Sequence, residues 1–167
     1  MTKLPLQQLR EIFGERLQEN VKLNNYTTTH VGGTVGGMMS INSASEMEFA
    51  LQNLWELDVP YHILGSGSNL LVSDSGFPGI ILHNRSHNVK INTKVDPPLI
   101  TAESGATLGQ VAQMASRRGV SGFEWANSIP GTVGGAVYGN AGAHGSDVAG
   151  KLQSVLVITR EAGTQLL

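Results

Sequence analysis

Cysteine is absent from this 167-residue chain. Its absence excludes disulfides, thiolate-held zinc, iron–sulfur clusters and thiol nucleophiles, and leaves the redox compartment open. Charge is scarce as well: Asp, Glu, Lys and Arg make up 14% of the residues, against about 25% in an ordinary globular domain. The net charge is -2 and the pI is near 6.2. No basic field exists to hold a nucleic-acid backbone, so nucleic acid is not an expected partner. Long hydrophobic runs are missing too. None reaches the about 18 residues of a membrane span, and the opening residues lack the apolar run of a secretory signal. A soluble cytoplasmic protein without a membrane partner is the expectation, which a mean hydropathy of -0.04 suits.

What the chain does have is glycine, 21 residues of it, well above the average of about 7%. Hydrophobic residues at 40% can build a core for one domain or for two small subdomains. Seven of the glycines fall in the almost uncharged run from Gly122 to Gly145. Glycine loses backbone entropy on folding and packs nothing, so such a run needs a reason. One reason is a tight, buried turn. Another is backbone brought into contact with a flat or phosphorylated ligand. A second cluster, Leu64-Gly65-Ser66-Gly67-Ser68-Asn69-Leu70, favours the ligand.

Periodicity places the elements. Leu6, Leu9, Phe13 and Leu17 form the stripe of an amphipathic helix from Leu4 to about Glu19, with Pro5 in its first turn. Val21 to Thr29 is rich in β-branched and aromatic types and reads as extended, and Val31 to Ile41 reads as a turn and a strand. Ser45 with Glu48 makes a capping box for a helix to about Leu57, its inner face Met47, Leu51 and Leu54. Val59 to Leu64 is a short strand, so strand, helix and strand imply a parallel pairing. The Gly65–Asn69 loop then lies at the C-terminal end of a strand, where open α/β sheets hold ligands. Strands follow at Ile80–His83, Val89–Ile91 and Leu99–Glu103. Thr107 caps a helix with Leu108, Val111, Ala112 and Ala115 inward and Gly119 as its stop. Leu152 to Thr159 reads as a strand, Glu161–Thr164 as a hairpin turn, and Gln165–Leu167 as the start of a returning strand.

The Gly65 loop lacks the lysine of a phosphate-binding Walker loop, the third glycine of a dinucleotide fingerprint and the frame of a nucleophile elbow. It remains a small-residue loop whose backbone N–H groups and hydroxyls make a nest suited to a phosphate or pyrophosphate, or else a plain tight turn. His83 and His87 are four apart, but the residues between and after them read as loop and not helix, so they are taken as a surface pair and not as metal ligands. His30 and His62 are taken as structural, and Asp74 as the cap of a turn. Glu124 and Asn140 can each bond neighbouring loop N–H groups. No acid–base or nucleophile constellation is visible.

Three blocks carry a family resemblance: Tyr26-Thr27-Thr28-Thr29-His30-Val31-Gly32-Gly33; Leu64 to Asp74; and Ile129-Pro130-Gly131-Thr132-Val133-Gly134-Gly135-Ala136 with Asn140-Ala141-Gly142-Ala143. In this order they resemble the UDP-N-acetylenolpyruvoylglucosamine reductases (UDP-N-acetylmuramate dehydrogenases), flavoproteins of peptidoglycan synthesis. The likeness spans roughly residues 20 to 167. It implies an α+β fold: a two-lobed FAD-binding domain of the vanillyl-alcohol-oxidase type, truncated at its C-terminus. The implied division is an N-terminal helix at 1–20, a first lobe at 21–84 and an incomplete second lobe, with an antiparallel sheet, at 85–167. By the same likeness Gly65, Ser66, Gly67, Ser68 and Asn69, flanked by Leu64 and Leu70, would hold the pyrophosphate of FAD. Ser128, Ile129, Pro130, Gly131, Thr132, Gly134, Gly135 and Ala136 would line the cofactor, and Asn140, Gly142 and Ala143 would continue that wall.

The resemblance further implies NADPH as hydride donor and a UDP-sugar substrate. The family's Tyr-Arg-x-Ser motif, proton-donating serine and acidic residue have no counterpart here, and Arg160 does not match the motif's arginine. Ser66 stands where the family often has glycine, and His144 where it commonly has an aromatic residue. The last hairpin stops soon after its turn, which reads as a fragment lacking the substrate domain and inactive alone. Two alternatives stay open: a truncated, non-catalytic flavin-binding module, and another flavoprotein oxidoreductase of the same fold.

Overall fold

A computed structural model describes residues 4–167 of the chain, which divides into two units, Met1–Arg85 and Ser86–Leu167. In the first, α1 covers Leu6–Phe13 and buries Leu9 and Phe13. It is shorter than the periodicity implies. Gly14 takes φ 57 and ends the helix, Gly14–Arg16 tightens into a 3-10 turn, and Leu17 reaches the core from extended backbone. Residues 1–3 of the expected helical segment lie outside the described residues. The expected extended stretch from Val21 is also brief: Lys22 bridges Thr34, and Leu23–Asn25 then turns. That turn drops Leu23 into the core at 1% exposure and sets the Tyr26 ring edge-on to His83, centroids 5.4 Å apart.

Strand β1 (Val35–Ile41), α2 (Ala44–Glu56), β2 (Tyr61–Leu64) and β3 (Phe77–Asn84) complete this unit. The strands form one sheet in the order β1-β3-β2, both pairings parallel as expected. β3 begins three residues earlier than the apolar run suggests. Its Pro78 has no N–H for a ladder, and it sits where the register slips between Val35–Phe77 and Gly37–Ile80. Ile80, Ile81 and Leu82 are at most 1% exposed, each contributing about 1.5–3 kcal/mol of burial. The N-cap of α2 is Ser43 and not Ser45: its hydroxyl accepts the Glu46 N–H at 3.2 Å, while the Glu46 carboxylate accepts the Asn42 N–H at 2.9 Å. Ser43-x-x-Glu46 and Ser45-x-x-Glu48 both fit a capping box. The earlier frame wins because Ser43 still has the extended backbone of a cap, φ -151 and ψ 163. Met47, Leu51 and Leu54 face inward as expected, with Ala50.

In the second unit β4 (Val89–Asn92) and β5 (Leu99–Ala102) pair antiparallel. Helix α3 (Leu108–Arg117) follows the expected plan: Thr107 accepts the Gln110 N–H at 3.2 Å, and Leu108, Val111, Ala112 and Ala115 are buried. Gly119, at φ 69, stops it, with N–H bonds from Gly119 to Ser116 and from Val120 to Ala115 closing the end. A 3-10 turn at Glu124–Ser128, a short α4 (Val133–Tyr138) and two hairpins, β6–β7 (Gly142–Ala143 with Ser146–Asp147) and β8–β9 (Leu156–Thr159 with Gly163–Leu166), follow. β8 starts four residues later than expected, because the Lys151 and Leu152 N–H groups both turn back to the Val148 carbonyl. Leu108, Ala112, Trp125, Ala126, Ala136 and Val148 form the core here. No helix among the described residues is long and apolar enough to cross a membrane.

Candidate functional site

The candidate residues of the first unit hang from the end of β2. Leu64 is anchored in the core with Leu23, Val35, Met38 and Ile81, and Leu70 packs on the same cluster from the far side. Between them runs Gly65-Ser66-Gly67-Ser68-Asn69. Gly67 is the pivot. It has φ 63, and a Cβ there would overlap the Tyr26 carbonyl oxygen. Its own carbonyl accepts the Thr28 N–H at 3.1 Å, so the Tyr26–Thr28 segment is clipped onto the loop. The backbone N–H groups of Ser66, Gly67 and Asn69 take no hydrogen bond within the described residues. Ser66 and Asn69 are exposed. Unsatisfied amides beyond the end of a parallel strand offer donors to an anion.

A groove of about 410 Å³ opens beside them, lined by Asn25, Tyr26, Thr27, Thr28, His30, Gly65, Ser66 and His83. Of these only Gly65 and Ser66 were expected site residues. The Tyr26–Gly33 block carried the signal for several others. His83 lies in a strand as expected, but it is not the surface residue expected to pair with His87: β3 continues through Asn84 and holds it half-buried under Tyr26. Burial, and next the charge of Arg85, hold its pKa below the ordinary histidine value. Ser73, not Asp74, caps the turn before β3: its hydroxyl accepts the Ser75 N–H at 3.2 Å and its carbonyl the Gly76 N–H at 2.9 Å. Among the described residues no three His, Cys, Asp or Glu side chains gather as metal ligands.

The glycine-rich run of the second unit is tied mostly to its own chain. Ser128 ends the 3-10 turn, exposed like Pro130, and Ile129 packs on the core around Trp125. The Gly131 carbonyl accepts the Leu108 N–H at 3.1 Å, and buried Thr132 caps α4 by accepting the Gly135 N–H at 3.4 Å. The Val133 and Gly134 N–H groups go to Ala106 and Ser104 carbonyls at 2.8 and 2.7 Å. A Cβ on Gly134 would lie 2.9 Å from the Ser104 Cβ, so its bareness makes room for the chain. Ala136 is buried, while Gly135 is exposed. The start of α4 is therefore closed, in contrast to the unbonded amides at exposed Ser66 and Asn69.

Asn140, Gly142 and Ala143 line a second groove, about 730 Å³, with Gly145, Ser146, Asp147, Gly150 and Lys151. The last five were not expected, and a glycine-centred search carries no signal for an aspartate or a lysine. Glu124 does bond loop backbone, accepting the Gly122 N–H at 2.8 Å.

A family model described as FAD binding domain matches residues 41–166. The chain belongs to that family. It is 35% identical to a UDP-N-acetylenolpyruvoylglucosamine reductase of Lactobacillus johnsonii over 88% of its own length and 48% of the relative. It is 38% identical to that of Acaryochloris marina over 90% and 49%. The solved UDP-N-acetylenolpyruvylglucosamine reductase of Thermus caldophilus superposes with a TM-score of 0.71 at 30% identity, over 91% of this chain and 52% of that one. The cholesterol oxidase of B. sterolicum, 13% identical with a TM-score of 0.59 over 91% and 31%, shares the fold alone. The expected resemblance and the α+β FAD-binding fold thus hold, and the chain spans about half the length of the relatives it matches.

Proposed function

We propose that the chain forms the FAD-binding part of a reductase acting on UDP-N-acetylglucosamine enolpyruvate, with NADPH as hydride donor and UDP-N-acetylmuramate as product, in the cytoplasm. The observation that carries the reading is the Gly65–Asn69 loop. Its open amides sit at the end of a parallel strand, in a chain of the FAD binding domain family. The residues fit a dinucleotide: exposed Ser66 and Asn69 offer N–H donors, and no charged side chain stands in the loop to repel a diphosphate. FAD, when bound, supplies the hydride-transfer chemistry. Gly65 to Asn69 would hold the diphosphate, Ser66 and Ser68 adding hydroxyls. Ser128 to Gly131, Gly135 and the Asn140–Ala143 edge would orient the remainder.

No acid–base pair is assigned to this chain, so proton delivery to the substrate falls to residues outside it. Its test is reconstitution: the folded chain should retain the visible flavin band through gel filtration after mixing with FAD, and anaerobic NADPH should bleach that band. Folded protein that keeps no flavin overturns the reading. Reduction of the UDP-sugar by the 167 residues alone would contradict the assignment of proton transfer elsewhere.

A further inference from the structure

Asn140 follows α4 with φ 43, in the left-handed region that asparagine tolerates better than most residues. Its Oδ1 accepts the Ala149 N–H at 2.9 Å, and that bond fixes which way the amide points. Nδ2 is thereby turned to Asp147, 3.4 Å from Oδ2. The other oxygen of that carboxylate, Oδ1, accepts the Gly150 N–H at 2.9 Å. Asp147 also stands opposite Gly142 in the β6–β7 pairing, and a Cβ on Gly142 would lie 2.9 Å from its Cβ. Val148, next in the chain, is buried and donates its N–H to the Ala141 carbonyl at 3.1 Å. Both carboxylate oxygens are thus spent on the two sides of one turn, and the edge so shaped is the floor of the larger groove.

We infer that Asp147 is a positioning residue for the cofactor: through Asn140 and the Gly150 turn it sets the Gly142–Ala143 edge against which FAD lies. The inference rests on the flavin reading above. Asp147 need not touch the ligand, since its oxygens are directed to the Asn140 amide and the Gly150 N–H. A carboxylate is required because both partners are donors, and only an acceptor with two oxygens serves both.

Substitution separates this role from mere stabilisation. In D147N an amide N–H would face the Asn140 amide, donor against donor. D147S keeps a hydroxyl able to accept from the third residue on, as Ser43 does from Glu46, but cannot reach Asn140. The reciprocal swap N140D/D147N keeps acceptors for the Ala149 and Gly150 N–H groups and rebuilds the bond between positions 140 and 147 with its direction reversed. FAD affinity is measured on the full chain by quenching of flavin fluorescence, well below the thermal midpoint of each variant. D147N and D147S should bind FAD about tenfold more weakly, the loss expected of a hydrogen bond to a charged group. The swap should return to within about threefold of the parent, the tolerance of rebuilt pairs.

An aspartate that only stabilises the turn would lower the thermal midpoint and leave the affinity of the folded chain unchanged. Folded D147N or D147S binding FAD like the parent overturns the inference while the flavin reading stands, as does a folded swap that fails to restore affinity. D147S decides the matter should D147N not fold. A folded parent that does not bind FAD overturns the flavin reading and this inference together.

Discussion

Gly67 and Gly119 share a backbone conformation, φ 63 and φ 69, and differ in what surrounds them. Alanine at either incurs the left-handed strain of an L-residue, about 1–2 kcal/mol. Beyond α3, a Cβ on Gly119 meets nothing within 4 Å. Gly119→Ala should therefore cost only that strain, less the about 0.4–1 kcal/mol that alanine saves in the unfolded chain, leaving about 1 kcal/mol. At Gly67 the new atom would overlap the Tyr26 carbonyl oxygen and lie 3.0 Å from the Thr27 Cα. Both obstacles are backbone, with no side chain to swing aside. Relief requires the Tyr26–Thr28 segment to lift, stretching the Thr28–Gly67 hydrogen bond and the Tyr26–His83 ring contact. Each of these contributes about 0.5–1.5 kcal/mol. Gly67→Ala should thus cost about 3–4 kcal/mol, a large part of the 5–15 kcal/mol that holds a typical domain. The thermal midpoint should fall by roughly 10 °C, against about 3 °C for Gly119→Ala. Urea unfolding followed by tryptophan fluorescence reads both. Matching losses within about 1 kcal/mol would show that conformation alone, and not the neighbouring backbone, reserves position 67 for glycine.

Ser43→Ala should destabilise by about 1 kcal/mol through loss of the α2 cap, while Ser45→Ala stays within about 0.5 kcal/mol; chemical denaturation of the pair would expose the opposite frame if it were correct. Burial lowers the pKa of His83 below its ordinary 6.5, so the unfolded chain binds the proton more readily. Stability from this group is then complete above about pH 6.5 and declines as pH falls towards the folded value. His83→Gln should flatten that part of the profile, and an unchanged slope would contradict it. FAD at about a hundredfold excess over its Kd should stabilise the chain by about 2.7 kcal/mol, visible as a raised melting temperature that FAD-free buffer does not produce.

Where a signal was local, the chain was legible. Thr107 and Gly119 bracket α3 as their residue types require, and the Leu–Val–Ala stripe between them faces inward. Where two local signals competed, the outcome depended on neighbours. Two overlapping capping boxes left the start of α2 two residues adrift, and Gly14 cut α1 short inside an unbroken apolar period. The glycines of the candidate site were harder still. Whether a glycine clears space for a ligand or for the chain depends on contacts far along the sequence, such as Tyr26 against Gly67 or Ser104 against Gly134. Composition carries no record of those contacts. In the run from Gly122 to Gly145, Gly134 and Gly142 accommodate neighbouring backbone, while Gly135 is exposed.

The strand order β1-β3-β2 places the last-made strand of the sheet in its centre. On a ribosome, β1 and β2 would emerge in turn with no strand of their own sheet to pair with. At about 5–20 residues per second, β1 waits roughly 2–9 s before Asn84 completes β3. Throughout that interval Met38, and from its own synthesis Leu64, lack the cover of Ile81. The amides beyond Leu64 likewise have no fixed geometry until β3 docks beside β2. Arrival of one eight-residue strand therefore seals the apolar surface and shapes the candidate diphosphate loop in the same step, so a nascent chain would gain its anion-binding contour abruptly and only after residue 84.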